Sequence, residues 1–229
     1  MNKLLLLLVS VFFTSAVDLK PCQVKKGDLN KDVEMVTTKG TMIIRLSDST
    51  PLHRDNFIKL VNQHYYDGIL FHRVMNQFMV QAGDPKSKTA KPGEALGQGS
   101  PGYAVPAEIK PDLLFHKKGA LAAARTPDEI NPTKESNGSQ FYLVHGRVYS
   151  EEDLNQVEGR LNGYKIPAAH REVYKTLGGT PSLDTKYTVF GEVIKGIEVI
   201  DSIAAVATGD RNRPVEDVKI IRATLIKRQ

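Results

Sequence analysis

The sequence predicts a mainly β protein folded as a small closed β-barrel. Three observations carry that prediction. Short stretches with strand patterning recur along the chain, one helix comes early and another late, and a single stretch of helical periodicity interrupts the later strands. Closing the sheet would remove its edge strands, and the early and late helices would plug the barrel ends. The 229 residues are 41% hydrophobic, ample for a core, and show no internal repeat.

The first segment stands apart from the fold. Lys3 gives a basic start, residues 4–13 are apolar but for Ser10, and Thr14-Ser15-Ala16 offers small residues where a signal peptidase cuts. The apolar run is about half of what a spanning helix needs, so 1–16 reads as a cleaved secretory signal. The expected location is periplasmic or secreted, with a eukaryotic secretory lumen as the alternative, and no stable membrane insertion after cleavage. The single cysteine, Cys22, follows Lys20-Pro21, which argues against lipidation, and one cysteine forms no internal disulfide. Residues 17–31 are polar, contain Pro21 and Gly27, and read as a linker into a domain over 32–229.

Within that domain, 33–38 and 41–46 read as strands joined at Lys39-Gly40 in a hairpin. Thr50-Pro51 starts a helix, with the hydroxyl as N-cap and proline in the first turn; Phe57, Leu60, Val61 and His64 keep its spacing until Asp67-Gly68. Strands are expected at 69–75 and 78–83. Gly119 to Ala124 is helical by propensity, yet its short length between loop signals fits a strand equally well. Residues 139–144, 187–194 and 218–226 read as strands, and 196–204 as a helix with its apolar stripe at 197, 200, 203 and 204. The intervening segment, about 146–181, is a helical insertion. Ser150 to Asp153 resembles a capping box, Leu154, Val157 and Leu161 share a helical face, and a second helix over 167–177 ends at Gly178-Gly179.

Several functions are disfavoured by the residues themselves. The formal charge is +5, and cleavage after Ala16 would leave +4 by removing Lys3. The basic residues are scattered without interleaved aromatics, so no nucleic-acid binding is expected. Gly97 to Gly102 spells GxGxxG, but Pro101 sits inside it and no helical pattern follows, so a nucleotide is not expected. The six histidines lack metal-ligand spacing, and no Ser-His-Asp arrangement is evident. Asn137-Gly138-Ser139 spells a glycosylation acceptor and is taken as coincidence.

The chemistry centres on one cation. Over residues 71–84, period-two reading puts Phe71, Arg73, Met75, Met79 and Gln81 on one face of two short strands. An arginine among apolar residues is costly unless something polar meets it there. Taken with Asn137 to Leu143 and the LDTKYTVFGEV stretch starting at Leu183, this pattern resembles the cyclophilins, peptidyl-prolyl cis-trans isomerases, over about 33–228 apart from the insertion. The resemblance implies an eight-stranded antiparallel barrel with two capping helices, needing no metal or cofactor, whose partners are proline-containing polypeptides and unfolded exported proteins. It implies that Arg73 and Gln81 are catalytic and that Phe78, Met79, Tyr142 and Leu183 form the proline pocket. Gln140 would orient Arg73 or substrate, the Ala123 backbone would pair with the bound peptide while Ala122 and Ala124 leave room for the chain, and Tyr187 would stand at the rim. His72 is expected to be structural, on the opposite face from Arg73.

Three positions depart from many family members. Tyr142 stands for a phenylalanine, Tyr187 for a histidine, and Ser182 for the tryptophan of drug-sensitive members, so cyclosporin binding is expected to be weak. The insertion begins and ends near the expected pocket. It forms either a wall of the substrate groove or padding outside the barrel.

Overall fold

The structure is a computed structural model that describes residues 24–229. The expected signal, Cys22 and the first part of the expected linker lie outside the described residues. From Val24 onward the chain is not loose: residues 26–30 form a 3-10 turn, Val24 and Leu29 pack against the main core, and Asp28 accepts from Lys31 Nζ at 2.9 Å and Asn62 Nδ2 at 3.2 Å.

In chain order the elements are β1 (Lys31–Thr37), β2 (Gly40–Leu46), α1 (Pro51–Asn62), β3 (Arg73–Met75), β4 (Met79–Ala82), β5 (Ala104–Val105), β6 (Ala120–Ala123), β7 (Ser136–Asn137), β8 (Phe141–Val144), α2 (Glu151–Glu158), α3 (Ala168–Thr176), β9 (Val189–Lys195), α4 (Glu198–Ala204) and β10 (Ile220–Lys227). Eight strands make one antiparallel sheet in the order β10-β1-β2-β9-β6-β8-β4-β3, and β5 pairs separately with β7. The sheet curls but does not close as a continuous ladder, which corrects the closed barrel expected from the sequence. β3 is only three residues long, so the two edges meet just before β3 and β10, at the Leu70–Lys219 bridge. There Phe71 N donates to Val218 O and Ile220 N to Ile69 O, both at 2.8 Å.

The main core fills the curl. Phe57, Leu60 and Val61 of α1 and Ile200 and Ile203 of α4 meet Val33, Met35, Met42 and Ile44 of the first hairpin, all buried. Thr50 occupies the N-cap position of α1, yet its hydroxyl makes no capping bond. The Glu108 carboxylate caps the helix instead, accepting from Leu52 N at 3.2 Å and His53 N at 3.0 Å. A carboxylate at this end also opposes the positive pole of the helix dipole.

Period-two alternation then sorts the central strands onto two apolar faces. Val80, Ala82, Leu121, Ala123, Phe141 and Leu143 point into the main core, while Met79, Ala122, Ala124, Tyr142 and Val144 form a second cluster on the opposite face. β6 is a strand despite its alanines because both of its faces are covered; small side chains fit between Tyr142 on one side and Phe141 on the other. Tertiary packing here overrides helix propensity.

The insertion forms α2 and α3 around its own cluster of Leu154, Leu161, Ile166 and Tyr174, packed on Phe115. The expected capping box is present: Asp153 N donates to Ser150 Oγ at 3.1 Å and Ser150 N to Asp153 Oδ2 at 3.2 Å. The two ends of the insertion cross at a pair of glycines. A Cβ on Gly146 would fall 2.4 Å from the Gly179 Cα, so no side chain fits there. Bridges from Gly179 to Lys117 and Arg147 fasten the crossing.

Candidate active site

The second apolar face is where the predicted residues meet. β3 and β4 pair Arg73 with Gln81 and Met75 with Met79, and β4 and β8 pair Gln81 with Tyr142. These registers put the half-buried Arg73 at the edge of an apolar surface built by Phe78, Met79, Tyr142, Leu183 and Tyr187. All of these residues line a single cavity of about 1050 Å³ that opens to solvent.

Arg73 is held from one side. Its Nη1 donates to Gln81 Oε1 at 3.4 Å, Gln81 Nε2 donates to Gln140 Oε1 at 3.0 Å, and Gln140 Nε2 donates to the carbonyls of Gly97 (3.0 Å) and Gly99 (2.7 Å). No acidic residue pairs with the Arg73 guanidinium among the described residues, so its remaining donors are available to a ligand. Gln140 itself is buried and lines a neighbouring cavity of about 460 Å³, which it shares with Gln81, Ala124 and Arg125.

The glycine-rich loop has a structural task. Asp84, fully buried, accepts Gly97 N at 2.6 Å and Gly99 N at 3.2 Å on one carboxylate oxygen and Lys86 N at 2.8 Å on the other. The amides that a phosphate would need are therefore occupied by this chain's own carboxylate. Gly99 has no room for a Cβ, which would collide with the Asp84 oxygen that accepts from Lys86 N. Asn137 is similarly engaged: its side chain donates to Gly99 O and accepts from Ser139 N and Gln140 N.

Ala122 and Ala123 line neither cavity; Ala123 is in the main core with its amide donating to Thr188 O at 2.9 Å, and Ala122 is packed beneath Tyr142. The strand ends at Ala123, so the chain reaches the rim only with Ala124 and Arg125. Arg125, not foreseen, lies over the Tyr187 ring at 4.7 Å and donates to Lys186 O. Two sequence-based placements, those of Phe71 and His72, need correction. Phe71 belongs to the core rather than beside Arg73, because regular alternation starts only at Arg73. His72 is not on an opposite strand face: it precedes the strand, lies under Gly97 and lines the same cavity as Arg73. Its ring has no hydrogen-bond partner of good geometry, and burial pushes its pKa down to about 4, so it is neutral near pH 7. The far wall, residues 92–98 and 209–215, was also missed. Arg213 staples it, donating to Lys91 O at 3.0 Å and Glu94 O at 2.6 Å.

A Ser-His-Glu trio, also unanticipated, joins Ser136 Oγ to His53 Nε2 (2.9 Å) and His53 Nδ1 to Glu108 (2.7 Å). Ser136 is only 1% exposed and Glu108 already caps α1, so the trio fastens the helix start to β7 and presents no nucleophile.

Comparison with known proteins gives the family. The sequence profile of the family described as "Cyclophilin type peptidyl-prolyl cis-trans isomerase/CLD" matches residues 32–225. The chain belongs to the cyclophilin family. Among its relatives, a Staphylococcus haemolyticus protein named "Putative peptidyl-prolyl cis-trans isomerase" is 38% identical over 201 residues, covering 84% of this chain and 93% of that one. A Staphylococcus aureus protein of the same name is 36% identical over 86% of this chain and 92% of its own length. The fold matches a crystal structure of a Cryptosporidium parvum cyclophilin type isomerase with a TM-score of 0.60 at 23% identity, covering 86% of this chain and 97% of that one. The same Cryptosporidium protein has also been solved in the presence of the dipeptide Ala-Pro, matching with a TM-score of 0.59. The candidate site thus lies on the outer apolar face of β3, β4 and β8, with Arg73 at its margin. None of its lining comes from residues 146–181.

Proposed function

We propose that this peptidyl-prolyl isomerase works by Arg73 stabilising the twisted X-Pro amide above an apolar proline pocket. Rotation destroys amide planarity and returns a lone pair to the proline nitrogen. Uncatalysed, it takes tens to hundreds of seconds; reaching milliseconds needs selective transition-state stabilisation of about 5–7 kcal/mol. No nucleophile is needed. A fixed donor aimed at the nitrogen and a dry seat for the ring supply what the reaction requires.

The observation that carries this reading is the juxtaposition of Arg73 with Phe78, Met79, Tyr142 and Leu183 in one cavity, with the guanidinium oriented by Gln81. A permanent cation favours the localised lone pair, and its fork can hold the substrate carbonyl at the same time. Tyr187 and Ala124 bound the seat, and Gln140 acts through Gln81. The clients are proline-containing exported proteins whose folding waits on proline isomers, a reading supported by the signal-like residues 1–16. Recovery of a periplasmic or secreted chain beginning at Val17 would bear out that location; an uncut chain retained in the cytoplasm would overturn it.

The mechanism is tested by NMR exchange on a short Ala-Pro peptide. Rapid cis–trans exchange with the unaltered protein, lost in Arg73→Ala while the peptide still binds, is expected. Binding without exchange in the unaltered protein would instead make the chain a proline-peptide-binding chaperone or scaffold.

A further inference from the structure

A hydrogen-bonded relay runs from the helical insertion to the floor of the proline pocket. Tyr174, on α3, is fully buried and donates its hydroxyl to the Asp184 carboxylate at 2.9 and 2.7 Å. Asp184, 1% exposed, also accepts from the backbone N of His116 at 2.8 Å and from His116 Nδ1 at 2.9 Å. The far nitrogen of the same fully buried ring, His116 Nε2, lies 2.9 Å from the Tyr142 hydroxyl. Three segments of chain, at 116, 142 and 174–184, are thereby joined out of contact with water.

The directions of the protons follow from the acceptors. A carboxylate can only accept, so Nδ1 carries the hydrogen that it gives to Asp184. Nε2 and the Tyr142 hydroxyl then share the ring's remaining hydrogen bond. The Tyr142 hydroxyl is consequently directed away from the cavity, and its ring presents carbon to the substrate. Stacking of the His116 and Tyr142 rings within 14° of parallel, with Tyr187 edge-on to Tyr142 at 5.9 Å, fixes the plane of that ring. A phenylalanine at 142 would fill the same seat without this anchor.

We infer that Tyr174, Asp184 and His116 are positioning residues for the Tyr142 floor, and that the insertion acts on the reaction through Tyr174 rather than by lining the groove. The inference rests on the reading of this cavity as the proline seat. No residue of 146–181 lines the cavity, yet the insertion's buried tyrosine completes the coordination of the carboxylate that orients His116. A floor that can reorient as the amide twists should cost turnover more than it costs peptide binding.

The test is a double-mutant cycle on the full chain, with kcat and KM measured on an Ala-Pro peptide. Tyr174→Phe removes one hydroxyl without changing the packed volume, and Tyr142→Phe removes the floor's end of the relay. Each single variant is expected to lower kcat by about 3–10-fold with KM within twofold, in the range of coupling transmitted through packed networks. In the Tyr142→Phe background, Tyr174→Phe should then do nothing further. Equal losses in both backgrounds, or no loss in either, would overturn the relay. A readout independent of turnover keeps the inference separate from the isomerase reading: in protein with labelled tyrosine, the Tyr142 ring should flip faster in Tyr174→Phe than in the unaltered chain. An unchanged flip rate overturns the inference. Failure of the unaltered protein to turn the peptide, with the faster flip observed, would overturn the isomerase reading alone.

Discussion

Gln140 decides which way Gln81 faces. Because the Gln140 nitrogen is spent on the carbonyls of Gly97 and Gly99, its oxygen turns to Gln81 and accepts from Nε2 at 3.0 Å. That leaves the Gln81 oxygen, and only the oxygen, for Arg73. The orientation of the cationic donor is therefore set two residues away, by backbone carbonyls of the glycine loop.

Gln81→Ala should accordingly lower kcat/KM by about 10-fold while leaving the fold intact, a smaller effect than the 100-fold or greater loss expected for Arg73→Ala. Arg73→Lys should not restore the activity, since a point charge cannot engage nitrogen and carbonyl together. Exchange spectroscopy on one peptide with all three variants gives the ranking; equal activity in Gln81→Ala and the unaltered protein would refute it.

Asp84→Ala should unfold more easily by about 2–4 kcal/mol, because three amides lose a charged acceptor in a buried site. Urea denaturation reads the loss. The same variant should bind peptide less well, since Gly97 and Gln98 form part of the cavity wall.

Acid should destabilise the fold as its buried histidines take up protons. His72, with Asp84, Arg73 and Arg213 as the charged groups acting on it, has a folded pKa of about 4 against an ordinary 6.5. Between those values the unfolded chain binds more protons. The stabilisation is therefore complete above pH 6.5 and is lost as pH falls to 4, on the order of 3 kcal/mol. Burial also lowers the pKa values of His53 and His145, which adds to the same slope. Denaturation midpoints at pH 7, 5.5 and 4 should show the decline, and His72→Gln should flatten part of it.

Ser182 is exposed next to the cavity residue Leu183, and the sequence holds no tryptophan. Ser182→Trp should therefore strengthen cyclosporin binding at least 10-fold by adding an indole donor and about 200 Å² of contact surface. The new residue reports its own titration by fluorescence; unchanged affinity would remove position 182 from the account of weak binding.

What was legible in the sequence was local. The Lys39-Gly40 hairpin, the Ser150–Asp153 capping box and the alternation through Met79 and Gln81 are signals carried within a few residues, and each is present in the structure. What was not legible joins distant segments. Glu108 caps a helix 55 residues earlier, and Asp184 grips a histidine 68 residues away. The run Ala120 to Ala124 shows why the faces of that strand were hard to read. A stretch of alanines has no alternation to mark its faces, and only the packing of Phe141 and Tyr142 against it reveals where the strand ends. Likewise, strand patterns give the number of strands but not whether β3 is long enough to close the sheet.

The crossing of Gly146 and Gly179 gives the insertion a neck. With its entry and exit at hydrogen-bonding distance, everything between them is an excursion that leaves and rejoins the sheet at one place. Lengthening or shortening such an excursion alters loop-closure entropy only slowly and pulls on no strand. The rest of the fold would therefore tolerate new material at this point, and a tyrosine that happened to reach Asp184 from it could be recruited without rebuilding the pocket. The glycine pair is in that sense a docking port for sequence change, placed one buried carboxylate away from the chemistry.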